Sequence, residues 1–249
     1  MNGSDEGYTS ALFAARHKAD LIGGLTFAGA RVIELPVPRI VPVVNADPRD
    51  FGEFDWIVFS GIFPTRAFFE LPSASDSLIE FADSVRIGVV GNQAADMLRK
   101  QMIHCDLISD ESRVEAIASD LESYEGGLGG IALLAIAGDW NMSAVSASLS
   151  SAGADVSTFC CCAAKYDDPA SVSRGRSLAL GGAIDAVHIE SPEEAEFLPV
   201  LFAENRIAQL FCDSTFECAD ALTALRVREL GIAPASIRVR TKKDGHEKP

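Results

Sequence analysis

Short apolar runs alternate with helix-period segments along almost the whole chain, and few folds are open to a sequence built that way. Runs at 10–15, 31–35, 56–59, 87–90, 104–108, 131–136, 156–162, 186–189, 208–211 and 237–240 read as strands, with helical patterns between most of them. Strands separated by helices pair in parallel, because each connection must cross a face of the sheet before the next strand begins. Helix boundaries are legible too. Ser191-Pro192-Glu193-Glu194 is a capping box with proline in the first turn, and Ser214 with Glu217 has the same spacing. Gly29, Gly153 and Gly231 each stand where a helix should stop.

Two stretches repeat one grammar. Asp55 opens an apolar run ending at Ser60, and Arg86 opens the next; Asp185 opens a run ending at Glu190, and Arg206 opens the next. This predicts two related α/β units. Four prolines (Pro36, Pro38, Pro42 and Pro48) forbid a helix over the connection from 35 to 48 and favour an extended crossing. A second extended segment, 157–166, runs back. Two crossings place both termini in one unit, with residues 1–38 plus 165–249 forming one discontinuous α/β domain and 39–164 the other. The tail 242–249 is polar and is expected to fray.

Composition excludes several classes of function. The net charge of −15 opposes general attraction to phosphate backbones, so nucleic acid is not an expected partner. Asp5 and Glu6 interrupt the N-terminal segment, which does not read as a signal peptide. No apolar run reaches the ~18 residues that a membrane-spanning helix needs. The expectation is a soluble, cytoplasmic protein. The six cysteines lack Cys-x-x-Cys spacing, so neither a metal nor a redox role is expected. On an unbroken strand, Cys160 and Cys162 share one face and Cys161 takes the other. The glycines at 126–130 precede their strand instead of following it, and no dinucleotide loop, phosphate loop or nucleophile elbow is present. No cofactor is implied.

The ordered segments resemble the uroporphyrinogen-III synthase family over about residues 11–232. Leu12-Phe-Ala-Ala-Arg16 is similar to the family's opening strand, and Gly29-Ala-Arg-Val-Ile-Glu-Leu-Pro36 and the crossing segment after it are both close to family usage. Asp55-Trp-Ile-Val-Phe-Ser60 resembles a family strand ending in Phe-Thr-Ser. Val89-Val-Gly91 with Ala94-Ala95 resembles Val-Gly-x-x-Thr-Ala, and Gly153-Ala-Asp-Val156 leads into the return strand. Asp185-Ala-Val-His-Ile-Glu-Ser-Pro192 resembles a second Phe-Thr-Ser-Pro segment. The resemblance implies two doubly wound parallel-sheet α/β domains on a two-stranded linker, with a cleft between them. It also implies a lyase that closes hydroxymethylbilane into uroporphyrinogen III while inverting ring D, in haem biosynthesis.

The same resemblance implies the site. Tyr166 is the candidate catalytic residue. Arg16, Ser60, Gly61, Ile62, Phe63, Gly91, Asn92, Gly138, Asp139, Ser191, Ser214 and Thr215 are candidates for substrate binding, with no metal. Helix starts after Ser60, Gly91, Gly138, Ser191 and Asp213 are expected to hold the substrate's carboxylates through backbone N–H groups. The chain departs from the family at several of these places. Gly61 and Phe63 replace polar residues, Ala94 replaces a threonine, Trp140-Asn141 stands where a basic residue is expected, and Ile189-Glu190 replaces Phe-Thr. The family's return-strand tyrosine aligns near Cys162 or Ala163, so Tyr166 needs a shift of strand register to take its place. Glu190, Glu193, Glu194 and Glu196 set negative charge where a carboxylate should bind. The partner implied is a small-molecule linear tetrapyrrole, the substrate of a monomeric protein. Two alternatives remain at this stage: a non-catalytic, synthase-like tetrapyrrole binder or partner protein, and an unrelated two-domain α/β small-ligand binder.

Overall fold

A computed structural model describes residues 8–13, 19–43, 51–71, 78, 84–109, 116–202 and 207–240. Its described residues fall into two compact units. One takes its residues from the stretch ending at Pro38, from Tyr166–Phe202 and from 207 onward; the other runs from Arg39 to Lys165.

The first unit holds β1 (Thr9–Phe13), α1 (Ala19–Phe27), β2 (Arg31–Leu35), α6 (Pro169–Leu180), β9 (Ala186–Ile189), α7 (Pro192–Phe202), α8 (Ile207–Leu210), β10 (Thr215–Cys218), α9 (Ala221–Glu229) and β11 (Ile237–Val239). Its strands are all parallel in the order β2-β1-β9-β10-β11. The second unit holds β3 (Arg39–Pro42), β4 (Trp56–Phe59), α2 (Ile62–Phe69), β5 (Arg86–Val90), α3 (Asn92–Lys100), β6 (Leu107–Ser109), α4 (Ala116–Glu125), β7 (Ala132–Gly138), α5 (Met142–Ser151) and β8 (Asp155–Lys165). Its sheet runs β3-β8-β7-β4-β5-β6, with β3 the antiparallel member. That pair joins Arg39 to Lys165 and Pro42 to Cys162, and forms the two-stranded linker where the chain passes between units.

The central strands β4, β5, β7 and β9 are buried on two faces, which is why they read as continuous apolar runs. On β4, Ile57 and Phe59 pack with Phe68, Ala94, Ala95 and Leu98 of α2 and α3, whereas Trp56 and Val58 pack with Ile117, Leu121, Val145 and Leu149 of α4 and α5. The strands start from a repeated aspartate clasp. The Asp55 carboxylate accepts from Ala132 N (2.9 Å), its amide donates to Ala132 O, and its carbonyl accepts from Arg86 N. Asp185 makes the same three bonds, to Thr9 N (2.6 Å), Thr9 O and Thr215 N. Asp106 accepts from Ile87 N (2.8 Å) and donates back to Ile87 O. Each carboxylate satisfies a first ladder N–H that has no strand partner.

The clasp corrects the reading of the repeat. The counterpart of Arg86 is Thr215, and Arg206 lies outside the described residues. Residues 208–211 do not form a strand. They lie in and just beyond the short helix α8, whose Ile207 and Phe211 are buried four residues apart with Phe211 N bonded to Ile207 O. The strand is β10, where Phe216 and Cys218 are buried and Thr215 and Glu217 half-buried, the period-2 signature of a pleat. The Ser214–Glu217 capping box therefore does not exist, and no helix starts after Asp213. Ser214 Oγ donates to Ile184 O (2.6 Å), and Asp220 caps the following helix by accepting from Thr223 N.

Two smaller corrections follow the same logic. The strand expected at 104–108 starts later, at Leu107, because Asp106 serves as its clasp. The cysteine faces do not alternate. Ala137 pairs with Cys160 but Gly138 with Cys162, so Cys161 is the extra residue of a β-bulge. Cys161 and Cys162 consequently both enter the core with Phe51 and Phe59, while Cys160 is half-buried. The strand 10–15 is described only as Thr9–Phe13, and its last two residues, like the tail 242–249, lie outside the described residues. Gly29, Gly153 and Gly231 do follow α1, α5 and α9, each at positive φ (84°, 101° and 82°).

Candidate functional site

In an open parallel sheet, a crevice forms where neighbouring strands send their helices to opposite faces, beyond the strands' carboxyl ends. The second unit has this point between β4 and β7. From β4 the chain turns to α2 and β5, and from β7 to α5 and β8. Ser60, Gly61, Ile62 and Phe63 follow β4, Gly138 and Asp139 end β7, and Gly91 and Asn92 follow β5. Eight of the sequence-predicted residues thus stand at the carboxyl ends of three neighbouring strands, β7-β4-β5.

The helix starts here lack side-chain caps. Gly61 (φ 140°) opens α2 and Gly91 (φ 93°) opens α3, and neither can offer a side-chain acceptor. Asn141 opens α5 with its side chain turned elsewhere. First-turn N–H groups have no helical carbonyl to bond, and the helix dipole makes their surroundings favourable to an anion. The asparagine was not among the expected site residues, although it organises the crevice. Its Oδ1 accepts from Gly138 N (3.2 Å), and its Nδ2 donates to Ser60 Oγ (3.2 Å) and towards Ser60 O (3.5 Å). Ser60 and Asn141 are both buried, so this bond ties β4 to β7 across the crevice floor.

Aromatic packing crowds the glycine, so any side chain there would have to displace the Trp140 ring. Trp140 meets Phe63 edge-on at 6.3 Å between centroids, and a Cβ on Gly138 would lie 2.4 Å from the Trp140 ring. Phe63 is buried beneath this contact, so its ring cannot meet a ligand and only its main chain can serve. Asp139 is spent on scaffolding: Oδ1 accepts from Ala164 N (3.0 Å) and its amide donates to Cys162 O. Ala94 is wholly buried among apolar neighbours, so its position belongs to the core.

The first unit is arranged differently. Its strand order sets the corresponding point between β1 and β9, where Glu190-Ser191 follow β9; Arg16 lies outside the described residues. Helix starts carry their own acceptors. Ser191 Oγ accepts from Glu194 N (3.3 Å), Asp168 from Ala170 N and Ser171 N, and Asp220 from Thr223 N. Ser214 and Thr215 are not at this edge: Thr215 pairs with Ala186 at the amino end of the sheet, so neither joins Ser191. Tyr166 follows β8 directly, and its hydroxyl donates to Val200 O (3.1 Å). The bulge at Cys161 shifts the register of the strand that precedes it by one.

Three of the four acidic residues expected to repel a carboxylate are engaged within the protein. Glu190 pairs with Arg240, Glu194 Oε2 accepts from Glu190 N (2.9 Å), and Glu196 lies 3.6 Å from Arg226 in a buried contact. The thiolate is disfavoured at four of the six cysteines. Burial raises Cys105 and Cys160 and lifts Cys218 to about 11, and hydrogen bonding with Cys161 together with burial pushes Cys162 far upward. No group of three or more potential ligands among the described residues could hold a metal ion.

Against known proteins, residues 19–244 match the family model described as uroporphyrinogen-III synthase HemD. Among solved structures, the uroporphyrinogen III synthase of Thermus thermophilus is similar with a TM-score of 0.62 at 16% identity, covering 92% of each chain. A second crystal form of the enzyme from that organism gives 0.55 at 16% identity over 92% of this chain and 91% of its own. A mutant form gives 0.51 at 16% identity over 95% and 94%. At this identity the structures establish the fold. No curated protein matches the chain. No helix among the described residues is long and apolar enough to cross a membrane.

Proposed function

The chain belongs to the uroporphyrinogen-III synthase family, and from that premise we propose that it acts as a cyclising hydro-lyase. Its function is the closing of hydroxymethylbilane to uroporphyrinogen III, with ring D inverted, in tetrapyrrole biosynthesis. The observation that carries our reading of the site is the set of three uncapped helix starts, at Gly61, Gly91 and Asn141, on neighbouring strand ends. Carboxylates of the linear tetrapyrrole bind there through main-chain N–H groups and helix dipoles, which explains how a chain of net charge −15 recognises a polyanion. Such contacts fix where the chain of pyrroles lies, and ring closure at the substituted carbon of ring D follows from that placement.

Side chains contribute mainly to this placement. Ser60, Asn141, Gly138 and Asp139 hold the loops, Ile62, Phe63 and Asn92 present main-chain groups, and Ser191 opens the matching helix of the first unit. Tyr166 serves as a brace, since its proton is committed to Val200 O. The protein acts as a cytoplasmic monomer on a small molecule, without nucleic acid. The test is a coupled assay that supplies hydroxymethylbilane and separates the type III isomer from type I. Predominant type III product supports the reading; type I alone, at the spontaneous rate, refutes it.

A further inference from the structure

The carboxyl edge of the first sheet carries a cation that the proposed function leaves unused. In β9, β10 and β11 the register aligns His188, Glu217 and Arg238 in one row. Ala219 N continues the ladder to Ile189 O and Arg240 N to Cys218 O, both at 3.0 and 2.9 Å respectively. Two residues on, on the same face, the next row is therefore Glu190, Ala219 and Arg240. Strands two apart are separated by roughly 9–10 Å, which only a long side chain can cross. Arg240 crosses it over the small Ala219 and meets the Glu190 carboxylate.

This contact differs from the helix-packing pairs that Arg226 makes in the same unit. Arg226 is buried between α7 and α9, with Glu196 and Glu229 on it, as part of the helix packing. The Arg240 and Glu190 side chains instead keep 34% and 22% of their surfaces exposed, at the strand ends where ligands of parallel sheets bind. The Nε of Arg240 is buried and has no hydrogen-bond partner among the described residues. A guanidinium offers five N–H donors suited to bidentate carboxylate recognition, and here one is desolvated without compensation. The backbone N–H of Glu190, beside it, is likewise filled by a carboxylate of the chain, that of Glu194.

We propose that Arg240 is a seat for one carboxylate of the substrate, and that Glu190 occupies it as an internal stand-in which the substrate displaces. This rests on the reading that the ligand is the carboxylate-rich linear tetrapyrrole. The exchange breaks no covalent bond and moves no proton: one carboxylate replaces another on the guanidinium, and Glu190 turns to solvent. The stand-in keeps the partly buried arginine paired in the empty protein and makes the first unit selective for ligands whose carboxylate competes with it.

The neutral variants Glu190→Gln, which is near-isosteric, and Arg240→Gln, which is shorter, both destroy the ion pair, and the proposal gives them opposite effects. The probe is uroporphyrin I, an octacarboxylate read by fluorescence quenching, alongside KM for hydroxymethylbilane. Glu190→Gln should tighten uroporphyrin binding and lower KM about threefold or more, and Arg240→Gln should weaken both about tenfold, with kcat changing less than KM in each. Arg240→Lys should recover part of the loss. A purely structural pair would move both variants the same way, and that result, or no change in either, overturns the proposal. Should Arg240→Gln not fold, Glu190→Gln alone decides, because weaker or unchanged binding there is equally fatal. If the unmodified protein forms no type III isomer yet the binding shifts are opposite, the synthase reading fails and the seat stands; if it forms the isomer and the shifts coincide, the seat fails alone.

Discussion

The two units solve the same problem at a helix start in opposite ways. In the second unit, α2, α3 and α5 begin at Gly61, Gly91 and Asn141 without a side-chain cap. In the first, α6 and α9 begin under the carboxylates of Asp168 and Asp220, and α7 under Ser191. Capping stabilises a helix by about 0.5–2 kcal/mol and fills the position an external anion would take. The second unit gives up that stabilisation and leaves its first-turn amides to a ligand. The first keeps it, and adds Glu190 and Glu194 at the one start where a ligand is expected. Fold similarity alone would make the two edges equivalent; their caps separate them.

The largest effect should come from filling the crevice of the second unit. Gly138→Ala drives a methyl into the Trp140 ring, 2.4 Å away. It should cost about 1–3 kcal/mol of stability and reduce synthase turnover more than tenfold. Gly182→Ala is the matched control in the first unit, at φ 64° with open space around it. It should cost about 1–2 kcal/mol in a denaturant titration and leave KM unchanged. Equal losses of activity in the two would erase the distinction between the edges.

Asn141→Ala comes next. It leaves Gly138 N and the Ser60 hydroxyl buried without their partner, at about 1–3 kcal/mol by chemical denaturation. Because the tie positions the loops after β4 and β7, KM should rise with it; a stability loss with unaltered kinetics would show that the loops are placed by other means.

Tyr166→Phe should be milder. The variant loses one hydrogen bond to Val200 O, worth about 0.5–1.5 kcal/mol, and keeps at least a few per cent of type III activity. Loss of a general acid would cost about 10²–10⁴-fold, so a thousandfold fall with an intact circular dichroism spectrum would make Tyr166 catalytic after all.

The smallest effect is a pH dependence confined to the capped unit. Hydrogen bonds from Ser171 hold the Asp168 carboxyl below its ordinary value of 3.8, and those from Thr223 do the same for Asp220. A depressed carboxylate contributes stability that is complete above the unfolded value and is lost as pH falls through the folded one. The Tm penalty of Asp168→Asn and Asp220→Asn should therefore be constant at neutral pH and shrink below pH 3.8. A penalty that persists in acid would mean that the caps act without their charge.

Much of this architecture is legible in the amino-acid sequence. Alternation locates β2, where Ile33 and Leu35 are buried with exposed Glu34 between them, and apolar runs locate β4 and β9, which are buried on both faces. Residues 208–211 mislead because a short apolar run is compatible with strand or helix; the alternation of Thr215-Phe-Glu-Cys218 is the better signal. That error carries Ser214 and Thr215 to the wrong end of the sheet. The residues after β4, β5 and β7 can be found since strand–glycine–helix order fixes where they stand. Asn141, the Cys161 bulge and the Arg240–Glu190 pair cannot, for each depends on partners far away along the chain: Ser60, Ala137 and a residue two strands distant.

Asn92→Asp tests the central claim most directly. Asn92 is an exposed first-turn residue of α3, whose start has no side-chain cap. The substitution is isosteric and adds one negative charge beside the helix dipole, which should stabilise the protein by about 0.3–1 kcal/mol. If this uncapped start holds a substrate carboxylate, the same charge should raise KM for hydroxymethylbilane severalfold while Tm rises. A higher Tm with an unchanged or lower KM would contradict the account, since the anion would then not bind at the start of α3.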